Sequence, residues 1–535
     1  MKKYYFSLAI TRVICAIFFP CTVIYAQDPL LSWNTFSDQS GAVENVVSVA
    51  RSDDGSGIFI TGTTETAGNT DVFTVALAND GSELWRHVYG SANDDLPEKI
   101  IYFDGFLYVC GLYNKPAGNA NEYFLIKYAE DTGYLLDSVY THFYKIQLFD
   151  MACNSNGDIY ITGSSVHKLL YNESDIFTVA YSGNDLSELY SAYQFGNYAG
   201  TGKILLIDNA DNVYVWGTII DVIGGDKDCI MIKYAPDLTG PVVAIYESFA
   251  GKTDRAIDAE INSAGNYIYA LAEGGDNTLT AEPHYAVYKI RTSTLARTWL
   301  KRRGTSIAGS DIPKDISING NYIYVTGKSG TAEDMLTVAY RASGSLLWEA
   351  TEDFGFADEG NALCYNNGDI YVAGYSSDNS LKIFRYEGTT GSYVWPSEFI
   401  TYAGATDLSI PAGITTGSSS EIYIAASGEN TLVNAASDYL LLKYDDAAPK
   451  LAHHISSQLI GAVYPNPATD QCFISFSGSA NKIQCINLQG QVLVEENVSG
   501  LEQYHIDLSY YPAGLYQIKV YAGNSTDIRS FSVVK

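Results

Sequence analysis

Positive charge is scarce in this chain: 32 Lys and Arg stand against 61 Asp and Glu over 535 residues, a net charge of −29. Nucleic acids and anionic membrane surfaces recruit proteins through basic patches, so this balance argues against both as partners. Histidine is sparse as well, with seven copies (His87, His142, His167, His284, His453, His454 and His505), and no HExxH or spaced His/Cys set occurs. A zinc centre is therefore not expected. No nucleophile elbow with partners, phosphate loop or dinucleotide fingerprint stands out either. Cysteines number eight, and two of them precede residue 26. Cys110, Cys153, Cys229 and Cys364 show no pairing pattern and read as buried thiols. Cys472 and Cys485 flank one expected hairpin, which leaves a disulfide between them open.

Long apolar runs are missing except near the start. Lys2, Lys3 and Arg12 precede an apolar stretch from Val13 to Ile24, with Tyr25 and Ala26 ahead of Gln27. This reads as a secretory signal peptide over residues 1–26, cleaved between Ala26 and Gln27. The run is short for a retained anchor, and no later segment approaches spanning length. Those residues carry three positive charges and no acid, so the remaining chain has a net charge of −32.

What is abundant is one phrase, an apolar strand carrying Tyr (once Phe), then two more residues, then Gly or Ala. It begins as Ile58-Phe59-Ile60-Thr61-Gly62 and recurs as Ile159-Tyr160-Ile161-Thr162-Gly163. Its final position falls at 62, 111, 163, 217, 272, 327, 374 and 426. A period near 50 in β-type sequence is the mark of propeller blades, each a four-stranded sheet. The phrase is apolar on nearly every residue, as a strand covered on both faces must be. Its Gly is expected to let the neighbouring blade approach closely, and Ala at 272 and 426 argues against an obligatory positive φ. Most of the 43 Tyr fall at fixed repeat positions and read as blade packing, which leaves Tyr113, Tyr171 and Tyr198 as loop aromatics suited to binding.

Each phrase is followed by a strand often opened by Asp (Asp71, Asp175, Asp228, Asp334, Asp438) and then by an aromatic strand such as Leu347-Trp348. One aromatic strand, Leu31 to Phe36, precedes the first set, and none follows the last at Tyr444. The N-terminal strand should therefore complete the last blade and remove the open seam. The expected fold is all-β: an eight-bladed propeller over residues 27–446, with seven blades as the alternative if the weak copy around Tyr269 packs irregularly. A polar linker, 447–460, leads to a small β-sandwich of roughly seven strands over 461–535.

The last segment opens Tyr464-Pro465-Asn466-Pro467, turns at Gly490, runs Ala513-Gly514-Leu515-Tyr516 into Lys519-Val520, and ends in Lys535. It resembles the type A C-terminal sorting domain of the type IX secretion system of Bacteroidota. That resemblance implies export by the type IX machinery, which reads residues 461–535, and a destination outside the cell, released or at the outer surface. The propeller more loosely resembles bacterial SBBP-type repeats, through Asp71 and Asp175, the run 157–163 and the Gly344 to Trp348 turn, a family that implies a fold and no fixed activity. Thr390-Gly391-Ser392-Tyr393-Val394-Trp395 resembles the blade-docking motif of quinone-dependent dehydrogenases. The adjacent cysteines of those enzymes are missing and only one blade carries the full motif, so it reads as a turn with a packing Trp.

A second set of acids, Asp95, Asp254, Asp311, Asp358 and Asp407, lies in the loop before the first strand of five of the blades. In a propeller both sets emerge at one end. Hard cations take oxygen ligands, so the acids are candidates for a calcium-binding face, and no other cofactor is implied. The competing reading has each Asp accept backbone N–H bonds and fix its loop. The expected function is a non-catalytic binding or adhesion module for an extracellular glycan or protein. The alternative is a polysaccharide hydrolase or lyase that uses a carboxylate pair.

Overall fold

The computed structural model describes residues 30–37, 43–66, 68–113, 122–140, 146–165, 175–194, 198–221, 227–246, 253–275, 283–303, 311–394, 398–400, 411–417, 421–429, 437–445, 460–464, 468–476, 480–487, 492–501, 503–522 and 525–535. The signal segment with Ala26 and Gln27, Tyr171, Asp407, Pro465, Asn466, Pro467 and Gly490 lie outside them.

Alternating apolar strands separated by Asn/Asp/Gly turns build eight four-stranded antiparallel sheets among the described residues up to Asp445. Seven are contiguous in sequence, at residues 43–89, 95–140, 147–194, 198–246, 254–303, 312–352 and 358–400, and form blades 1 to 7. Blade 8 takes Gly413–Thr416, Glu421–Glu429 and Ser437–Asp445, and its fourth strand is the N-terminal Leu30–Ser37. That strand runs antiparallel to the third, from Leu30 opposite Asp445 to Ser37 opposite Tyr439. The ends of the ring are thus hydrogen-bonded together. The copy around Tyr269 forms a regular four-stranded sheet, Asp254 to Arg303.

The core lies between blades. One cluster joins Tyr108, Cys110 and Leu125 of blade 2 to Ile159, Phe177 and Val179 of blade 3. Another joins Ile58, Ile60 and Phe73 of blade 1 to Tyr423, Ala425 and Leu441 of blade 8, so apolar packing also crosses the seam. Each fully buried aliphatic side chain contributes about 1.5–3 kcal/mol. This explains why the repeat phrase is apolar on both faces. The repeat Tyr adds a latch. Tyr108 donates to the carbonyl of Gly183 at 2.9 Å, Tyr160 to that of Pro236 at 2.7 Å, and Tyr324 to that of Gly388 at 3.1 Å. Each acceptor sits just past the third strand of the next blade. Blade 1 has Phe59 instead, and there Trp85 Nε1 reaches the Glu130 carbonyl at 2.6 Å. Ahead of Trp395, which lies outside the described residues, the chain turns at Gly391, which at φ +70° lies against the Trp348 ring.

The repeat Gly has a neighbour in its own blade besides the expected one across the junction. Every first strand of blades 1 to 7 carries a register shift at one place, between Val46 and Ser48, Leu148 and Asp150, Asp315 and Pro313, and their equivalents. The bulge drives a carbonyl of that first strand into the Gly. A Cβ on Gly163 would lie 2.0 Å from Gln147 O, and one on Gly111 2.2 Å from Leu96 O. In blades 1 to 4 the close approach is made within the blade, by its own strands, whereas Gly327 and Gly374 also meet the neighbouring blade, through Tyr285 at 2.6 Å and Met335 at 2.2 Å. Blade 8 shows no such shift between Gly413 and Thr416, and its phrase ends in Ala426.

The C-terminal domain is a sandwich of a three-stranded and a four-stranded sheet. Its core holds Cys472, Cys485, Ile483, Ile518, Val520 and Phe531. Cys472 and Cys485 are free thiols, and their strands belong to different sheets, so they do not flank one hairpin. Tyr516 is buried, donates to the Pro512 carbonyl at 2.9 Å, and meets Tyr511 edge-on at 5.6 Å. Gly514, Leu515, Lys519 and Val520 share the long strand Gly514–Ala522. The terminal Lys535 ammonium caps the Leu508 carbonyl at 2.8 Å.

Candidate functional site

Two groups of carboxyls distinguish the propeller, one at the blade junctions and one around the axis. At the junctions, an acid that opens or precedes the first strand of one blade meets the residue opening the third strand of the blade before. Asp95, Asp254, Asp311 and Asp358 are all buried. Asp95 Oδ2 accepts the Ser91 N–H at 2.8 Å, and Asp358 Oδ2 accepts the Phe354 N–H at 2.9 Å, four residues back in both cases. These bonds tie down the loop. Burial raises the pKa of Asp95, against the Ser91 bonds and with help from Asp71 and Asp94. At the blade 5/6 junction His284 replaces the acid, with Nδ1 2.9 Å from Asp311 Oδ2, while Ser329 Oγ and Gly330 N donate to the other oxygen. At the seam Glu44 is raised to about 7 by burial, opposed by Arg86, whose Nη1 stands 2.8 Å away. Asp334, Asp353 and Asp358 bring carboxylate oxygens within 4.8 Å of one another, the arrangement among the described residues able to hold a metal ion. Tyr113 accepts the Asn93 amide at 2.8 Å and packs edge-on against Tyr140. Tyr198 begins the first strand of blade 4.

The axial group was not anticipated from sequence. In blades 1, 3, 5 and 6 the residue just after the bulge reaches the next blade, where the first strand is an edge whose outward N–H groups have no ladder partner. Ser48 Oγ accepts Ile100 N–H at 3.3 Å, Asp150 Oδ2 accepts Leu205 N–H at 2.7 Å, Asp258 Oδ2 accepts Ile316 N–H at 3.3 Å, and Asp315 Oδ2 accepts Leu363 N–H at 2.7 Å. Glu260 does the same for Ile318 N–H at 2.8 Å. The side chains lock the hub blade to blade. Lys99 pairs with Asp150, and Asp258 shares a hydrogen bond with Asp315. Asp258 also feels Asp150, two blades away, which places these groups around a common axis. Burial raises both Asp258 and Asp315, and their mutual repulsion lifts Asp315 further. Burial, with Asp258 adding, pushes Glu260 up to about 8. The legible signal was a polar residue 12–14 positions before the repeat Gly: Ser48, Lys99, Asp150, Asp258 and Asp315.

A pH dependence follows from Glu260. The folded state keeps its proton up to about pH 8, whereas an unfolded Glu loses it near the ordinary carboxylate value. The native chain therefore binds more protons in between, and stability falls as pH rises from about 5 to 8. Glu260→Gln keeps an acceptor for Ile318 and removes that proton. Its melting temperature should decline less over this range than that of the unaltered protein. Parallel declines would show that Glu260 does not titrate there.

The family model of the secretion system C-terminal sorting domain matches residues 462–534. The C-terminal domain is a type IX sorting domain. The sorting domain marks the protein for export, to the medium or the cell surface. Its partner is the type IX secretion machinery. No curated protein sequence matches the chain. Among solved structures it is similar to the Dos1 propeller, at 11% identity and TM-score 0.49 over 78% of this chain and 95% of that one. It is also similar to Sqt1 from Chaetomium thermophilum, at 10% and 0.47 over 77% and 100%. The polysaccharide lyase Uly1 follows at 8% and 0.41 over 78% and 99%. The propeller fold itself is plain in the sheets and their closure. Among the described residues no helix is long and apolar enough to cross a membrane.

Proposed function

We propose that the propeller is a non-catalytic recognition module, carried outside the cell by its sorting domain, that binds an extracellular glycan or protein. The reading is carried by an arc on the outer strands of four successive blades. Blade 1 exposes Leu84 and Val88, blade 2 Leu136 and Tyr140, blade 3 Leu189 and Tyr190, and blade 4 Val242, Val243 and Ile245. Exposed apolar residues gathered this way mark interaction surfaces, and Tyr rings among them suit a sugar face or a protein anchor. The use made of the acids supports the same reading. Those at the axis hold backbone N–H groups of the next blade, which is structural work.

The test is retention of the protein on arrays of extracellular polysaccharides and proteins, beside Val243→Asp and Tyr190→Ala. Selective retention by one class, weakened by roughly tenfold or more in both variants, is expected. Retention indifferent to both substitutions would remove the arc from the proposal. A second reading, a polymer-degrading enzyme, draws support from the protonated Glu260 beside the Asp258–Asp315 pair. Shortening of an arrayed polysaccharide, abolished in Glu260→Gln, would replace the first reading by the second.

A further inference from the structure

At the junction of blades 6 and 7 three acids converge, and among the described residues these are the three that bring carboxylate oxygens within 4.8 Å of one another. Asp334 opens the third strand of blade 6, Asp358 opens the first strand of blade 7, and Asp353 lies in the loop between the blades. Asp358 is 1% exposed. One of its oxygens takes the Phe354 N–H, but Oδ1 is buried without a hydrogen-bond partner, and Asp334 Oδ1 is in the same condition. Asp353, an exposed residue, accepts the Gly355 N–H on Oδ1 at 2.7 Å. The nearby Lys328 ammonium pairs with Glu333 at 3.0 Å. Buried carboxylate oxygens without donors are costly, and a third carboxylate beside them adds repulsion. Burial, with Asp353 and Asp358 adding, accordingly raises Asp334.

The junction of blades 1 and 2 is the internal control. It has the same 24-residue spacing, Asp71 to Asp95, and the same bond to Oδ2 from four residues back. There the Asn69 amide donates to Asp71 at 2.8 Å, and Gly90 stands five residues before Asp95, where Asp353 stands before Asp358. The first junction keeps one unpartnered oxygen, Asp95 Oδ1, while the second keeps two and adds Asp353, whose carboxylate joins theirs within 4.8 Å. A cation resolves the second case. Three carboxylates drawn from a strand, a loop and another strand give an irregular, all-oxygen set, which suits calcium better than magnesium, with its demand for octahedral order.

We propose that Asp334, Asp353 and Asp358 bind calcium and so staple the loop between blades 6 and 7 to the third strand of blade 6. Backbone carbonyls and water would supply the remaining ligands of the usual six to eight. The site is independent of whatever the outer arc binds.

The experiment is calorimetric titration of the chelator-stripped full chain with calcium chloride, with thermal unfolding followed in parallel. One calcium per chain is expected, with a dissociation constant at or below the ~1 mM of extracellular calcium modules and a melting temperature that rises with calcium. Asp353→Asn changes an exposed residue and should fold normally while binding roughly tenfold more weakly. Asp334→Asn should do the same, and Asp71→Asn should bind like the unaltered protein. Absence of heat and of any melting shift at ~1 mM calcium would overturn the proposal. So would binding left unchanged by both Asp353→Asn and Asp334→Asn.

Discussion

Removal of the N-terminal strand, Leu30–Ser37, is expected to abolish the single cooperative unfolding of the ring and to yield protein that self-associates. The strand is paired along its length with Ser437–Asp445 of blade 8. Losing those backbone bonds, at about 0.5–1.5 kcal/mol each, costs on the order of 5 kcal/mol. It also uncovers an edge strand containing Leu440, Leu441 and Leu442, all fully buried in the intact ring. An exposed apolar edge is a template for pairing with another chain. Calorimetry of the propeller transition, together with light scattering, measures both effects. The sorting domain has a core of its own, so its transition is assigned separately. A truncated chain that melts within about 2 °C of the intact one, and stays monomeric, would show that blade 8 does not need its borrowed strand.

Gly163→Val should be the most damaging point substitution in the repeat phrase. Its Cβ would stand 2.0 Å from the Gln147 carbonyl oxygen and 2.9 Å from the Phe177 ring. The oxygen is backbone, fixed by the bulge between Leu148 and Asp150, so relief requires moving the first strand that carries the hub lock. Overpacking of this kind costs about 3 kcal/mol or more, while Gly163→Ala should cost less. Ala272→Gly is the converse case. Blade 5 already admits a methyl group opposite Ala256, and deleting it should change stability by about 1 kcal/mol. Urea midpoints at constant slope report all three. A Gly163→Val midpoint equal to that of the unaltered protein would refute the close approach.

These two expectations lie on either side of what the chain discloses in its letters. The missing fourth strand of the last blade and the spare strand at the start were legible because each is a local pattern, countable without coordinates. The Gly was legible as a position and only in part as to cause, since Gly374 meets Met335 of the neighbouring blade while Gly163 meets its own first strand. The bulge that crowds it depends on how the first strand curves at the hub, and no residue type is confined to that bulge. Val47, Glu98, Phe149, Lys203, Ile257, Lys314 and Asn361 all occupy the shifted step. The thiols show the same division. Cys472 and Cys485 sit thirteen residues apart, which suggested one hairpin, whereas the domain assigns their strands to different sheets.

Fold class, ring closure and the export address were determined by the sequence alone, because strand periodicity, turn chemistry and the sorting motif act over a few residues at a time. Which acids meet was decided only by the tertiary structure. Asp150 reaches Leu205, Asp315 reaches Leu363, and Asp334 reaches Asp358 because the ring sets equivalent positions of successive repeats side by side. Partners of that kind stand some 24–55 residues apart along the chain, and their distance is set by the rotation from blade to blade and by the bulge at the hub.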